Sequence, residues 1–162
     1  MKSSDHLPLY GVGPVYGAVV AVSTVAAVVF SRLPAFAGGY LRGLRIPLLV
    51  LGIAVVLAAA FLWYQAVIVS RLDDRIVENR LVTTGAFAWV RNPIYSAIMI
   101  ACTGVLLMLA NWYFVPLPFF WWLFMTVLMK NTEERWLRER FGQEYEAYCR
   151  RVNRCWPRPP RR

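Results

Sequence analysis

The sequence predicts an all-α integral membrane protein with four transmembrane helices, the last two forming a helical hairpin, and a C-terminal cytoplasmic amphipathic helix. Of its 162 residues 59% are hydrophobic, and the mean hydropathy is +0.47. That is more apolar material than the core of one soluble domain requires. The excess lies in three stretches without Asp, Glu, Lys or Arg, at residues 7–31, 46–70 and 92–129.

The first two stretches each predict one membrane-spanning helix, and together they form an N-terminal unit over residues 1–70. Because an α-helix rises about 1.5 Å per residue and the hydrocarbon core is about 30 Å thick, roughly 20 apolar residues cross it. The first stretch could instead be a cleaved signal peptide. However, its apolar portion is too long, and Asp5 and a proline interrupt the basic start that a signal peptide has. We therefore predict a retained helix, with Gly11 and Gly13 at its entry rather than in a nucleotide-binding loop.

The third stretch predicts a transmembrane hairpin inside a second unit, residues 71–162. Its 38 residues would form a single helix of about 57 Å, far longer than one span. Asn111 and Trp112 lie near its middle, and Pro116 and Pro118 follow, so that turn-forming residues and an interfacial aromatic occur where the chain must reverse. After the hairpin, apolar residues recur at helical spacing and predict one apolar face on a further helix: Leu137, Phe141, Tyr145, Tyr148 and Val152.

Basic residues predict the orientation. With four spans, 15 of the 18 Lys and Arg residues fall on the side that holds both termini, and three fall on the other side. The positive-inside rule then places both termini in the cytoplasm. The net charge of +9 follows from this asymmetry, which predicts contact with an anionic lipid bilayer and no nucleic-acid partner. Three scattered cysteines and one histidine predict no metal site.

The two ends of the hairpin carry a group of polar residues that antiparallel helices bring to the same depth. These residues are Arg91, Asn92, Tyr95, Lys130, Glu133 and Glu134. Asn92 is a favourable N-cap before Pro93, and the free N–H groups of a helix start beside an arginine attract a carboxylate or a phosphate. The glutamates attract a cation. A pocket that binds an anion at one end and a cation at the other suits a zwitterion, such as the amino-acid part of a larger molecule.

The same residues also have a purely structural interpretation. Asn-Pro at a helix start is ordinary capping, and an arginine there anchors a span at the cytoplasmic surface. The glutamates could be solvated and pair with Arg138 along the helix. Charges at the end of a span cost far less than charges at its centre, so their presence alone does not require a function.

Four motifs occur in order over residues 80–157: Leu81-Val82-Thr83-x-Gly85, Arg91-x-Pro93-x-Tyr95, Glu133-Glu134, and Phe141-Gly142-x-Glu144-Tyr145 with Tyr148. This ordered set resembles the isoprenylcysteine carboxyl methyltransferase family, within the wider group that includes phospholipid N-methyltransferases. The resemblance implies an integral membrane enzyme that uses S-adenosylmethionine without a soluble nucleotide-binding domain. It also implies a lipophilic small-molecule or lipid-modified acceptor.

The resemblance also implies roles for individual residues. The residues expected to hold the amino-acid end of the cofactor are Asn92, Tyr95, Glu133 and Glu134, and those expected near the adenosine are Leu81, Val82 and Phe87. The candidate catalytic groups are Arg91, Glu133 and Lys130. For an amine acceptor, the candidate base is Glu133 or Glu134.

The chain departs from the family pattern at four places, of which Ala97 in place of glycine is a mild change. Asn92 stands where the family has histidine, and Phe87 stands where it has tyrosine. An arginine that often precedes the glutamate pair is absent, and Lys130 replaces it as a point charge without the bidentate fork. A carboxylate acceptor of the isoprenylcysteine type is expected slightly ahead of a phospholipid amine. The sequence also allows an NADPH-linked membrane reductase or a non-catalytic membrane scaffold, although reductases of the sterol type are much longer than 162 residues.

Overall fold

A computed structural model describes residues 11–69 and 81–158, and all regular structure in those ranges is helical. The α-helices are α1 (Gly13–Phe30), α2 (Arg45–Tyr64), α3 (Pro93–Leu109), α4 (Pro116–Asn131) and α5 (Glu133–Arg151). A π-helical turn, Gln65–Val69, extends α2. Most of the predicted loop, residues 71–80, lies outside the described residues, as do residues 1–10 and 159–162. The prediction of an all-α protein is confirmed for the described part of the chain.

Three helical segments are long and apolar enough to cross a membrane: Gly13–Phe30, Arg42–Val69 and Trp112–Asn131. The remaining predicted span, α3, is equally apolar but has 17 residues, or about 25 Å by the helical rise. It is also the helix that the others surround. Six residues of α3 are buried, whereas α2 buries two and directs most of its apolar side chains outward.

The hairpin turn occurs where the sequence predicts it. Helix α3 ends at Leu109, and Ala110 follows in the left-handed region with φ +48°. Asn111 then fixes the turn, because its Oδ1 accepts from the Tyr113 amide at 3.1 Å and its Nδ2 donates to the Phe36 carbonyl at 3.0 Å. The second of these bonds ties the turn to the connection between α1 and α2. Helix α4 begins at Pro116.

Two glycines allow α2 and α3 to approach closely. A Cβ atom at position 52 would lie 2.6 Å from the carbonyl oxygen of Gly104, and one at position 104 would lie 2.8 Å from the carbonyl oxygen of Gly52. Without a hydrophobic driving force between helices in lipid, such backbone contact at small residues is a main source of helix association. This pair was not predicted from the sequence.

Helix α5 changes direction at Gly142, where φ is +48° and ψ is −121°. Its predicted apolar face packs on the protein, since Tyr145 and Tyr148 are buried. After α5 the chain returns along the start of α3. The Arg91 amide donates to the Asn153 carbonyl at 2.8 Å, and the Ser96 hydroxyl donates to the Cys155 carbonyl at 2.7 Å.

The start of α1 is attached to the start of α5. Gly11 has φ +45°, a conformation that favours glycine, and it leads into the helix as the sequence predicts. The next amide, that of Val12, donates to Glu133 Oε1 at 3.1 Å. A Cβ atom at position 11 would collide with the same carboxylate. This contact therefore joins the first helix to the C-terminal half of the chain.

We expect the substitution Gly11→Ala to destabilise the protein. The positive φ strains any L side chain, and the added methyl group must displace Glu133. The strain alone predicts a lower melting temperature in mild detergent, by about 5 °C. Gly43→Ala is the matched control, because open space surrounds position 43. Equal melting temperatures for the two variants would show that the close contact at Gly11 is not required.

Candidate active site

The candidate site lies where the start of α3 meets the junction between α4 and α5. Arg91 and Asn92 immediately precede α3, and Tyr95 is in its first turn. Glu133 and Glu134 form the first turn of α5. The antiparallel hairpin thus brings together these two groups of residues, as predicted from the sequence.

Glu133 is held through one oxygen only. Its Oε1 accepts from the Tyr95 hydroxyl at 2.5 Å and from the Val12 amide at 3.1 Å, whereas Oε2 accepts no hydrogen bond from the residues that the structure describes. Burial raises the pKa of Glu133 above the ordinary value of 4.5, although both hydrogen bonds act in the opposite direction. The side chain is thus oriented by two donors and keeps one oxygen for a ligand or a proton.

Glu134 is held through both oxygens, by arginines. Arg154 binds it in a bidentate manner, with Nε 2.5 Å from Oε1 and Nη2 2.8 Å from Oε2, and Arg91 Nη1 lies 3.2 Å from Oε1. The residue is only 2% exposed. The two adjacent glutamates therefore differ in their surroundings. Glu134 fixes two guanidinium groups, and Glu133 is the one with a carboxylate oxygen that no described residue engages.

Arg91 has a donor without an acceptor. Its Nη1 contacts Glu134 and also the Cys149 Sγ at 2.6 Å, but its Nε is buried and makes no hydrogen bond to any described residue. Leaving a buried donor unpaired costs about 1–3 kcal/mol or more. A ligand carboxylate beside Arg91 would remove this cost.

The side chain of Asn92 does not cap α3. The residue occupies the N-cap position, and its carbonyl accepts the first helical bond, from the Ser96 amide at 2.9 Å. Its side-chain Nδ2 instead donates to the carbonyl of Arg154 at 3.2 Å. The expectation of a side-chain cap is therefore wrong, because the returning C-terminal segment offers Asn92 an acceptor. Asn92 joins α3 to that segment.

The remaining predicted residues differ in burial. Val82 is buried, Leu81 and Phe87 are half-buried, and Lys130 is exposed in the last turn of α4. The carbonyl of Phe87 accepts from the Tyr148 hydroxyl at 2.6 Å, so that the segment before α3 is tied to α5. Lys130 makes no hydrogen bond or ion pair with the described residues of the cluster.

Two contributors to the site were not predicted. Arg154 lies beyond α5 in a segment with several arginines, and no spacing distinguishes it from the others. Val12 contributes only its backbone amide, which carries no side-chain signal. Only the tertiary fold reveals both.

Two comparisons with known proteins identify relatives of this chain. A family profile described as phospholipid methyltransferase matches residues 44–144. Two curated proteins, from Oryza sativa subsp. indica and subsp. japonica, are each named probable protein-S-isoprenylcysteine O-methyltransferase. Each is 33% identical to this chain over 81 residues, which is 49% of this chain and 42% of the relative. The match thus spans less than half the length of these relatives.

No solved structure matches the chain. The family match contains α2, the complete hairpin and both glutamates of the site, and it ends within α5. The resemblance that the motifs carry is confirmed at the level of this wider family. The chain belongs to the phospholipid methyltransferase family.

Proposed function

We propose that this chain is an integral membrane methyltransferase that uses S-adenosylmethionine to methylate a lipophilic acceptor. The observation that carries the proposal is the pair of incomplete groups at the open end of the hairpin. Glu133 keeps one carboxylate oxygen without a partner among the described residues, and Arg91 keeps one buried N–H in the same condition. Family membership adds the reaction class.

The chemistry of these groups fits the amino-acid end of the cofactor. Its ammonium group matches the Oε2 atom of Glu133, and its carboxylate matches the Nε of Arg91. Tyr95 and Val12 hold the glutamate in place. The half-buried segment that contains Leu81, Val82 and Phe87 is assigned to the adenosine. Glu134 supports the site by holding Arg91 and Arg154. Asn92 supports it by its hydrogen bond to the carbonyl of Arg154.

When bound, the cofactor supplies a methyl group on a positively charged sulfur. The transfer is an in-line displacement, so the residues of this chain have to bind, align and exclude water. Arg91 and Glu133 would hold the cofactor at two oppositely charged points, and the aromatic ring of Tyr95 packs edge-on against the buried Tyr16. The acceptor approaches from the bilayer, since lipid is the environment of the surrounding helices.

For the acceptor, we propose a carboxylate of the isoprenylcysteine type. The curated relatives carry that name, and a carboxylate attacks without first losing a proton. Lys130, exposed at the end of α4, supplies a positive charge for it near the membrane surface.

A phospholipid amine such as ethanolamine is the second candidate. The family description favours it, and the raised pKa of Glu133 suits a base that takes the proton of an ammonium group.

The proposed topology has four membrane-spanning helices and both termini in the cytoplasm. Three candidate spans and the antiparallel pairing of α3 with α4 support the number, and the distribution of Lys and Arg supports the orientation. We expect green fluorescent protein fused after Arg162 to fluoresce in a bacterial host, and alkaline phosphatase fused after Gly43 to be active. An active phosphatase at Arg162 would contradict this topology.

The cofactor site is tested by calorimetric titration of the detergent-purified protein with S-adenosylhomocysteine. We expect binding that Glu133→Gln and Tyr95→Phe each weaken, the first by about tenfold or more because a charge-assisted bond is lost. Arg135→Gln is the matched control, because it removes only the exposed 2.9 Å ion pair with Glu139 on the same helix. Glu134→Ala is a less informative variant, since it leaves two arginines without their carboxylate. No binding by folded wild-type protein would overturn the proposal and favour the reductase or the scaffold.

The acceptor is tested with radiolabelled S-adenosylmethionine in vesicles. We expect label transfer to a farnesylated cysteine analogue with a free carboxylate, and none to the same analogue as its methyl ester. Transfer to phosphatidylethanolamine with no transfer to the farnesyl compound would instead establish the amine. Because the same variant weakens cofactor binding, the rate is measured at saturating S-adenosylmethionine; there Glu133→Gln should shift the pH dependence of the transfer, since the base is removed.

A further inference from the structure

The segment after α5 supplies a charged residue to the site from outside the part of the chain that matches the family. The family match ends at residue 144, and Arg154 lies ten residues further on. Its guanidinium group uses Nε and Nη2 on the two oxygens of Glu134. Hydrogen bonding to Glu134 is also the main reason that the pKa of Arg154 is raised.

The fork of Arg154 determines how Glu134 is oriented. A bidentate pair fixes both the position and the plane of a carboxylate, which a single bond does not. With Glu134 held in this way, its Oε1 presents one further acceptor direction, and Arg91 Nη1 occupies it at 3.2 Å. Arg91 is thereby held by one end of its guanidinium group, and the buried Nε is the atom left for another acceptor.

The backbone of the segment holds Arg154 in register with α3. Consecutive carbonyls of Asn153, Arg154 and Cys155 accept from the Arg91 amide at 2.8 Å, the Asn92 side chain at 3.2 Å and the Ser96 hydroxyl at 2.7 Å. Asn153 also folds the segment on itself, since its Oδ1 accepts from the amides of Cys155 and Trp156 at 3.0 Å each. The first three bonds link the segment to Arg91, Asn92 and Ser96 at the start of α3.

We propose that Arg154 is a positioning residue, which acts through Glu134 to direct the Nε of Arg91 toward the carboxylate of the cofactor. The inference rests on the proposed function and deepens it. Arg154 itself does not touch the cofactor. Its removal should therefore weaken only those ligands that carry the amino-acid carboxylate.

Two ligands separate positioning from general damage. S-adenosylhomocysteine carries the amino-acid end, whereas 5′-methylthioadenosine has the same adenosine and thioether without it. We expect Arg154→Gln to weaken S-adenosylhomocysteine binding by about tenfold, the effect of one charge-assisted hydrogen bond, and to leave 5′-methylthioadenosine binding unchanged. Arg154→Lys keeps the charge but not the fork, so a smaller loss confined to the first ligand is expected. Arg158→Gln is the matched control, as an exposed arginine in the same segment.

The outcomes distinguish the two proposals. If folded wild-type protein binds neither ligand, the proposed function fails. If wild-type protein binds both and Arg154→Gln weakens both equally or neither, the positioning role is overturned while the cofactor site stands. If Arg154→Gln does not fold, the affinities for the two ligands are compared in Arg154→Lys instead. An equal loss of affinity for both ligands in that variant overturns the positioning role.

Discussion

The buried carboxylate of Glu134 is the interaction on which the architecture of the site depends. A charge that is 2% exposed must be paired, because removing one partner of a buried ion pair typically costs about 3–5 kcal/mol. Its partners are Arg91, two residues before α3, and Arg154 in the segment after α5. Satisfying this one group therefore requires three parts of the chain to meet: the start of the hairpin, the helix that follows it, and the returning C-terminal segment. The backbone bonds of that segment to α3 reinforce the same meeting.

Adjacent glutamates have different partners because successive residues on a helix project about 100° apart. Glu134 faces the arginines, while Glu133 faces Tyr95 and the start of α1. One is thus charged and fully paired, and the other is partly desolvated with its pKa raised. The sequence shows two glutamates that look equivalent. In the fold, Glu134 has a structural role and Glu133 keeps one oxygen open to a ligand. The first helix contributes through a single amide, although it lies outside the family match.

The sequence predicts those features that depend on length and periodicity. Charge-free stretches fix the apolar helices, Asn111 and Pro116 fix the turn, and antiparallel geometry brings Tyr95 to Glu133. Features that depend on which surfaces meet were not predictable. Gly52 and Gly104 are single small residues on separate helices, and their contact appears only when α2 packs on α3. Asn92 is a residue type that commonly caps helices, but its side chain instead donates to the carbonyl of Arg154, a contact that only the tertiary fold creates. Arg154 was hidden among other arginines for the same reason.

The short length of α3 has a consequence for the depth of the site. At 17 residues it is about 5 Å shorter than the hydrocarbon core, and six of its residues are buried against the rest of the protein, so it is less obliged to match the bilayer than a helix that faces lipid. In the proposed topology, if the missing length falls at the cytoplasmic end, the first turn of α3 would lie below the membrane surface, together with Arg91 and Tyr95. A methyl acceptor anchored by a lipid chain can then reach the site by lateral diffusion, with its polar group at the right height and its chain still in the bilayer. On the proposed function, water-soluble compounds with the same reactive group would have to descend from the aqueous phase, so a short α3 would favour substrates that already belong to the membrane.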